Sequence, residues 1–258
     1  MIDLKDVTFI IPIKLDSEDR VNNYKMVIEY LTSLFDTNII VCESDVTSHR
    51  EVLDIHKDVK YLFVENNEDY FHRTKLLNIM TKMATTNIIC NYDVDVVFPK
   101  QQYILAIKKI KKGHAMCFPY GGPFMNVPKD LFNHVVNKEF HKIQEDDMEL
   151  CHPNSLGGAF FFNKDIYMSI GLENENFKSW GYEDNERVMR MRKFGHSVER
   201  IGGFLYHLDH ERNVDSVPEN PYYKSNIAEF NKVSMMSPEQ LATYVNSWHW
   251  FDYQKDVV

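Results

Sequence analysis

The sequence predicts an α/β fold, with a mixed, mostly parallel central sheet flanked by helices. Short apolar runs rich in β-branched residues alternate with segments of helical periodicity, the pattern of a sheet covered on its faces. Each apolar run is followed at once by polar, turn-forming residues, and in such sheets ligands bind beyond the carboxyl ends of the strands. The 258 residues are 44% hydrophobic and 13% aromatic, ample for a packed core. That length fits one large domain.

The elements follow in order. Val7 to Ile13 reads as a buried first strand, with Pro12 near its end. From Asp16 a helical pattern opens, and Val21, Tyr24, Val27, Ile28, Leu31 and Leu34 form its apolar face. Asn38 to Cys42 and Lys60 to Val64 are the second and third strands. Arg73 to Met83 is a helix that buries Leu76, Leu77, Met80 and Met83. Asn87 to Cys90 is a fourth strand, followed at once by Asn91-Tyr92-Asp93-Val94-Asp95. This arrangement sends residues 12–20, 43–45, 65–73 and 93–95 to one rim. The second half is less regular, with glycine pairs at 121–122, 157–158 and 202–203, and is expected to share the same sheet. An apolar strand is expected from Ile201 to Tyr206, and helices from Pro221 to Lys232 and from Pro238 to Asn246.

Charge narrows the function. With 38 acidic and 29 basic side chains the net charge is −9. Nucleic-acid binding wants a clustered basic face instead, so no nucleic-acid partner is expected. The first residues are charged where a secretory signal needs an apolar stretch, and no run reaches the roughly 18 apolar residues of a membrane span. Cys42, Cys90, Cys117 and Cys151 are widely spaced without a CxxC pair, which reads as reduced thiols in a cytoplasmic protein.

Four clusters can carry chemistry. Asp93-Val94-Asp95 follows a buried strand, and in extended chain both carboxylates point to one side, where they can hold a divalent cation that bridges to phosphates. The plainer reading is an Asp-rich turn. Trp180-Gly181-Tyr182-Glu183-Asp184-Asn185-Glu186 leads a helix with acids first, bases later and Gly195 at its end. Capping alone accounts for the acids but not for Trp180, since an indole beside carboxylates suits the C–H face of a sugar. His207 and His210 stand three apart beside Asp209, and imidazole with carboxylate fits Mn2+ better than Mg2+ or Ca2+. In Asp69 to Asn78, Phe71 can stack on a base, and Arg73 and Lys75 at a helix start can attract anions. The competing reading is an amphipathic helix with its bases on the wet face.

In their order along the chain, Phe71-His72-Arg73-Thr74-Lys75-Leu76-Leu77-Asn78, Asp93-Val94-Asp95, Gly157-Gly158, Trp180-Gly181-Tyr182-Glu183-Asp184 and His207/His210 resemble the β-1,4-galactosyltransferases. They resemble equally the related bacterial enzymes, including the N-acetylgalactosaminyl-transferring module of chondroitin polymerases. The resemblance spans roughly residues 7–215, and its first and fourth motifs are the specific ones. It implies a GT-A glycosyltransferase fold and an inverting, metal-dependent transfer from a UDP-sugar to a saccharide or lipid-linked saccharide acceptor. Residues 1–99 would be the nucleotide-sugar half, 100–215 the acceptor and catalytic half, and 216–258 a helical extension. Pro12, Arg20, Phe71, Arg73, Asp93, Gly158 and Trp180 would bind the donor. Asp95 would bind the metal, Mn2+ with Mg2+ as the alternative, completed by His207 or His210. Asp184 would be the general base, and Glu183 would hold a sugar.

Ser155 stands near the place where the family has a tyrosine that crowds the donor's C2 substituent, so an N-acetyl group is expected to fit. The animal enzymes carry a membrane anchor and disulfides, features not expected here; contact with the inner face of a membrane would come through a lipid-linked acceptor. A silent nucleotide-sugar-binding or partner subunit is the rival reading, though it would not need Asp184. A nucleotidylyltransferase would need a Gly-rich loop after the first strand, and Lys14 to Asp19 holds no glycine. The aromatic end from Trp248 to Tyr253 is expected to pack on the core, the alternatives being an acceptor wall or a partner surface.

Overall fold

The computed structural model describes residues 1–53, 55–211 and 217–251. The first half runs β1 (Ile2–Ile13), α1 (Glu18–Leu34), β2 (Phe35–Asp45), α2 (Arg50–Leu53), β3 (Val59–Glu65), α3 (Arg73–Met83), β4 (Ile88–Tyr92), β5 (Val96–Val97) and α4 (Lys100–Lys111). The second half runs β6 (Met116–Phe118), β7 (Phe124–Val127), α5 (Phe132–Val136), β8 (Glu149–His152), β9 (Ala159–Asn163), α6 (Lys164–Ser169), α7 (Glu183–Lys193), β10 (Val198–Arg200), β11 (Leu205–Leu208), α8 (Tyr223–Met235) and α9 (Pro238–Asn246). Local chemistry sets the helix starts. Ser17 caps α1 by accepting from Arg20 N–H, and Ser237 with Gln240 forms a capping box on α9.

The seven-stranded sheet has the order β10-β6-β9-β4-β1-β2-β3. β3, β2, β1 and β4 are parallel, while β9 runs antiparallel between β4 and β6. Val7, Phe9, Ile10 and Ile11 of the central β1 are fully buried, as a strand covered on both faces must be. The two halves therefore share this sheet, as expected. A second, four-stranded sheet, β5-β11-β7-β8, was not foreseen. Its strands have two to four residues, too few to show a period.

Two local expectations are corrected. Residues 201–204 form a glycine turn, and the strand begins at Leu205, so His207 lies within β11. Asp93 to Asp95 is a turn closed by Val96 N–H on the Asp93 carbonyl at 3.4 Å, so alternation along extended chain does not set its carboxylates. At the chain's end, Trp248 packs with Val233, Leu241 and Val245 in a small second core, under the Arg190 guanidinium. Tyr253 lies outside the described residues. Cys42, Cys90, Cys117 and Cys151 are all free thiols. Among the described residues no helix is long and apolar enough to cross a membrane.

Candidate active site

A cleft of about 720 Å³ opens at the carboxyl ends of β1 and β4. All twelve of the candidate site residues line it: Pro12, Arg20, Phe71, Arg73, Asp93, Asp95, Gly158, Trp180, Glu183, Asp184, His207 and His210. Strand pairing accounts for much of this convergence. Because β9 is antiparallel to β4, its start meets the end of β4, and Asp93 N–H donates to the Gly158 carbonyl at 2.8 Å. A Cβ at Gly158 would sit 2.3 Å from Leu205 Cδ1, and its φ is +80°, so this close approach needs glycine. β11 is antiparallel to β5, with His207 opposite Val96, and Leu208 N–H donates to the Asp95 carbonyl at 2.7 Å. That register places His207 beside Asp95 across 112 residues of chain (207 − 95).

Asp95, His207 and His210 are buried, and one potential ligand atom from each lies within 4.8 Å of the others. His210 Nε2 is 3.1 Å from Asp95 Oδ2, and His207 Nε2 is 3.8 Å from Asp95 Oδ1. The far nitrogens fix the orientation of both rings. His210 Nδ1 lies 2.6 Å from the Glu211 carbonyl, which only accepts, so Nδ1 carries the proton. Asn126 donates its amide to Asp209 at 3.0 Å, which turns its oxygen toward His207 Nδ1 at 2.9 Å. Each Nε2 therefore faces the carboxylate while Nδ1 is held by a neighbouring oxygen, the outer-sphere arrangement that metal-binding histidines use. This donor set fits a divalent cation of the Mn2+ type. Burial opposes ionisation at Asp95, but Arg20, His207 and His210 outweigh it and hold its carboxyl well below the usual range. Arg20 pairs with it directly.

Asp93 belongs to a separate pair. Arg73, at the first residue of α3, donates to it at 2.6 Å and 3.2 Å. Burial raises the Asp93 pKa against the pull of Arg73. Arg73 is thus largely buried in the cleft wall rather than on a wet face, and its Nη1 is buried with no hydrogen-bond partner among the described residues. Lys75 is exposed and does not line the cleft, contrary to its expected place beside Arg73.

The opposite wall is the start of α7. Tyr182 and Gly181 take positive φ, +69° and +119°, which turns the chain sharply into the helix. Glu183 is buried and accepts from Gly181 N–H at 2.8 Å. Burial, then the neighbouring Asp184, push its pKa up to about 7. Asp184 keeps a quarter of its side chain exposed and bonds Arg187 at 2.6 Å through Oδ1. Its Oδ2 faces Gly157, where a Cβ would stand 2.6 Å away. Trp180 is 39% exposed, and its ring stacks on Tyr223 at 5.9 Å and 9°. Glu186 points inward, buried against Arg190 at 2.7 Å, so it belongs to the core and, unlike Glu183 and Asp184, does not line the cleft.

Sequence reasoning missed Asn126, Arg187 and Tyr223. Asn126 is a lone polar residue in a four-residue strand, Arg187 reads as an ordinary helix base, and Tyr223 opens a helix beyond the motifs.

The fold is that of the GT-A glycosyltransferases. A family model for the N-terminal domain of galactosyltransferase matches residues 138–211, the stretch that carries Gly158, Trp180, Glu183, Asp184, His207 and His210. Among solved structures, glucosyl-3-phosphoglycerate synthase from Mycobacterium tuberculosis, in complex with Mn2+, UDP and phosphoglyceric acid, is similar. It has a TM-score of 0.54 and 13% identity, over 87% of this chain and 78% of that one. A mannosyltransferase from Pyrobaculum calidifontis, in complex with GDP-Man and Mn2+, also has a TM-score of 0.54, with 14% identity over 93% of this chain and 68% of that one. The catalytic domain of Drosophila β-1,4-galactosyltransferase 7, in complex with xylobiose, has a TM-score of 0.48 and 14% identity over 78% of this chain. The chain spans 65% of that enzyme's chain. No curated protein matches the sequence.

Proposed function

We propose that the protein is a metal-dependent, inverting glycosyltransferase. It would move galactose or N-acetylgalactosamine from a UDP-sugar to a saccharide or lipid-linked saccharide acceptor. The observation that carries this reading is the pairing, across one cleft, of Asp95, His207 and His210 with a second wall of Asp184, Glu183 and Trp180. The galactosyltransferase family match over residues 138–211 and the complexes of similar fold that contain Mn2+ with UDP or GDP-Man support it.

In this reading Asp95, His207 and His210 hold the cation, which when bound supplies positive charge at the diphosphate as it leaves. Arg73 and Arg20 add fixed positive charge on the same wall, and Phe71 and Pro12 flank the nucleoside. Asp184 accepts the proton of the attacking hydroxyl through Oδ2, and a positioned base of this kind contributes roughly 10²–10⁴-fold. Glu183 bonds a sugar hydroxyl, and Trp180 covers the sugar's apolar face. Attack from the side opposite the leaving group inverts the anomeric carbon in one displacement and needs no covalent nucleophile.

Donor choice is testable directly. Ser155, in place of the family's bulky tyrosine, would leave room beside the donor for an N-acetyl group. Calorimetric titration of UDP-galactose, UDP-N-acetylgalactosamine and UDP-glucose with Mn2+ present should show binding of the first two. Binding of UDP-galactose with the N-acetyl donor excluded would contradict the assignment at Ser155.

A further inference from the structure

Beneath the cleft, and outside it, Arg187 joins Asp184 to a buried carboxylate, that of Glu173. Arg187 is fully buried and Glu173 nearly so. The guanidinium grips Glu173 with two bonds, Nε to Oε1 at 2.8 Å and Nη2 to Oε2 at 3.1 Å, and gives Nη1 to Asp184 Oδ1 at 2.6 Å. Its plane lies over the Phe160 ring at 4.3 Å. Glu173 is itself fixed. Tyr167 donates to it at 2.6 Å, and Asn78 bonds its backbone N–H at 2.8 Å and its carbonyl at 3.1 Å. Arg190, one turn further along α7, holds the preceding loop by the carbonyls of Ile170 and Leu172 at 2.6 Å each.

We infer that Arg187 is a positioning residue for the transfer reaction: anchored on Glu173, it locks the Asp184 carboxylate so that Oδ1 is occupied and Oδ2 is presented to the cleft over Gly157. The inference rests on the reading of Asp184 as general base. A planar guanidinium with three bonds in a rigid fork suits this task, since both ends must be held at once. Gly157 completes it by leaving the space that Oδ2 uses. Because Arg187 does not line the cleft, its loss should act on the chemical step and not on donor binding.

A buried arginine also has a structural role, and the test must separate the two. Removing it alone leaves Glu173 buried without its counter-charge, which destabilises, whereas neutralising both partners largely relieves that penalty. Arg187→Met and the double variant Glu173→Gln/Arg187→Met are compared with wild type for melting temperature, UDP affinity with Mn2+ by calorimetry, and kcat for UDP-galactose and UDP-N-acetylgalactosamine hydrolysis. The inference expects kcat to fall about 10–10²-fold in both variants with UDP affinity unchanged, and the melting temperature to recover in the double variant while kcat does not. If kcat recovers along with stability in the double variant, Arg187 is structural only and the inference is overturned. Asp184→Asn, measured in parallel, separates the layers. Full activity in it removes the base reading itself, whereas lost activity there with undiminished kcat in the Arg187 variants removes only the positioning role.

Discussion

On the wall built by β4, β5 and β11, Asp95 sits among Arg20, His207 and His210, and these neighbours lower its pKa despite burial. On the wall built by α7, Glu183 is as deeply buried, but burial and Asp184 dominate and raise its pKa to about 7. Both groups are acids at comparable depth, so composition cannot explain the contrast. It comes from the neighbours that each element brings. Strand β11 and the residues just after it bring two histidines to Asp95 and the first turn of α1 brings a guanidinium, whereas the start of α7 sets two acids side by side. One wall is thereby suited to a cation and a diphosphate, the other to proton transfer and sugar hydroxyls. Groups whose surroundings push their proton affinities apart are a general means of assigning roles in a site.

The comparison breaks most sharply at Asp184. Asp184→Asn should lower donor turnover by about 10²–10⁴-fold while UDP still binds with Mn2+. Equal loss of turnover and UDP binding would mean that the two walls do not divide the work. Next in size is Asn126→Ala, which removes the hydrogen bond that orients His207. It should weaken Mn2+ binding about 10–100-fold by calorimetry without Mn2+-independent loss of fold. Unchanged Mn2+ affinity would remove His207 from the metal set.

A third effect, on stability and dependent on pH, concerns Glu183. Its proton affinity is raised in the folded state, so the folded protein prefers the neutral acid. That preference costs nothing below the ordinary pKa of 4.5, where both states are protonated, and stability falls as pH rises from there through about 7. Glu183→Gln keeps an acceptor for Gly181 N–H and cannot ionise. It should therefore be more stable than wild type at pH 8, by on the order of 3 kcal/mol, with the difference vanishing below pH 4.5. Denaturant melts at the two pH values check this, and a pH-independent difference would contradict the assignment.

The two walls also differ in how legible they were. Strands β1 to β4 and helices α1 and α3 read directly from the sequence, because long buried strands and helical stripes leave clear periods. Arg73 to Met83 and Pro238 to Asn246 match at both ends. The acids of α7 were legible as a helix start preceded by an aromatic. The small sheet was not, since strands of two to four residues carry no period, and its pairing of β5 with β11 is what carries His207 to Asp95. The partner of each charge was equally hidden. Arg20 with Asp95, Arg73 with Asp93 and Glu173 with Arg187 are separated by 75, 20 and 14 residues, and only the folded chain brings them together.

The central claim is that the cleft turns over a UDP-sugar and needs a divalent cation to do so. Hydrolysis of UDP-galactose and UDP-N-acetylgalactosamine, followed by UDP release, tests it in three arms: with Mn2+, with EDTA, and with Mn2+ restored in excess over EDTA. Turnover in the first and third arms and none in the second is the result expected. Turnover that EDTA leaves unchanged, or none of either donor with Mn2+ present, would contradict the account.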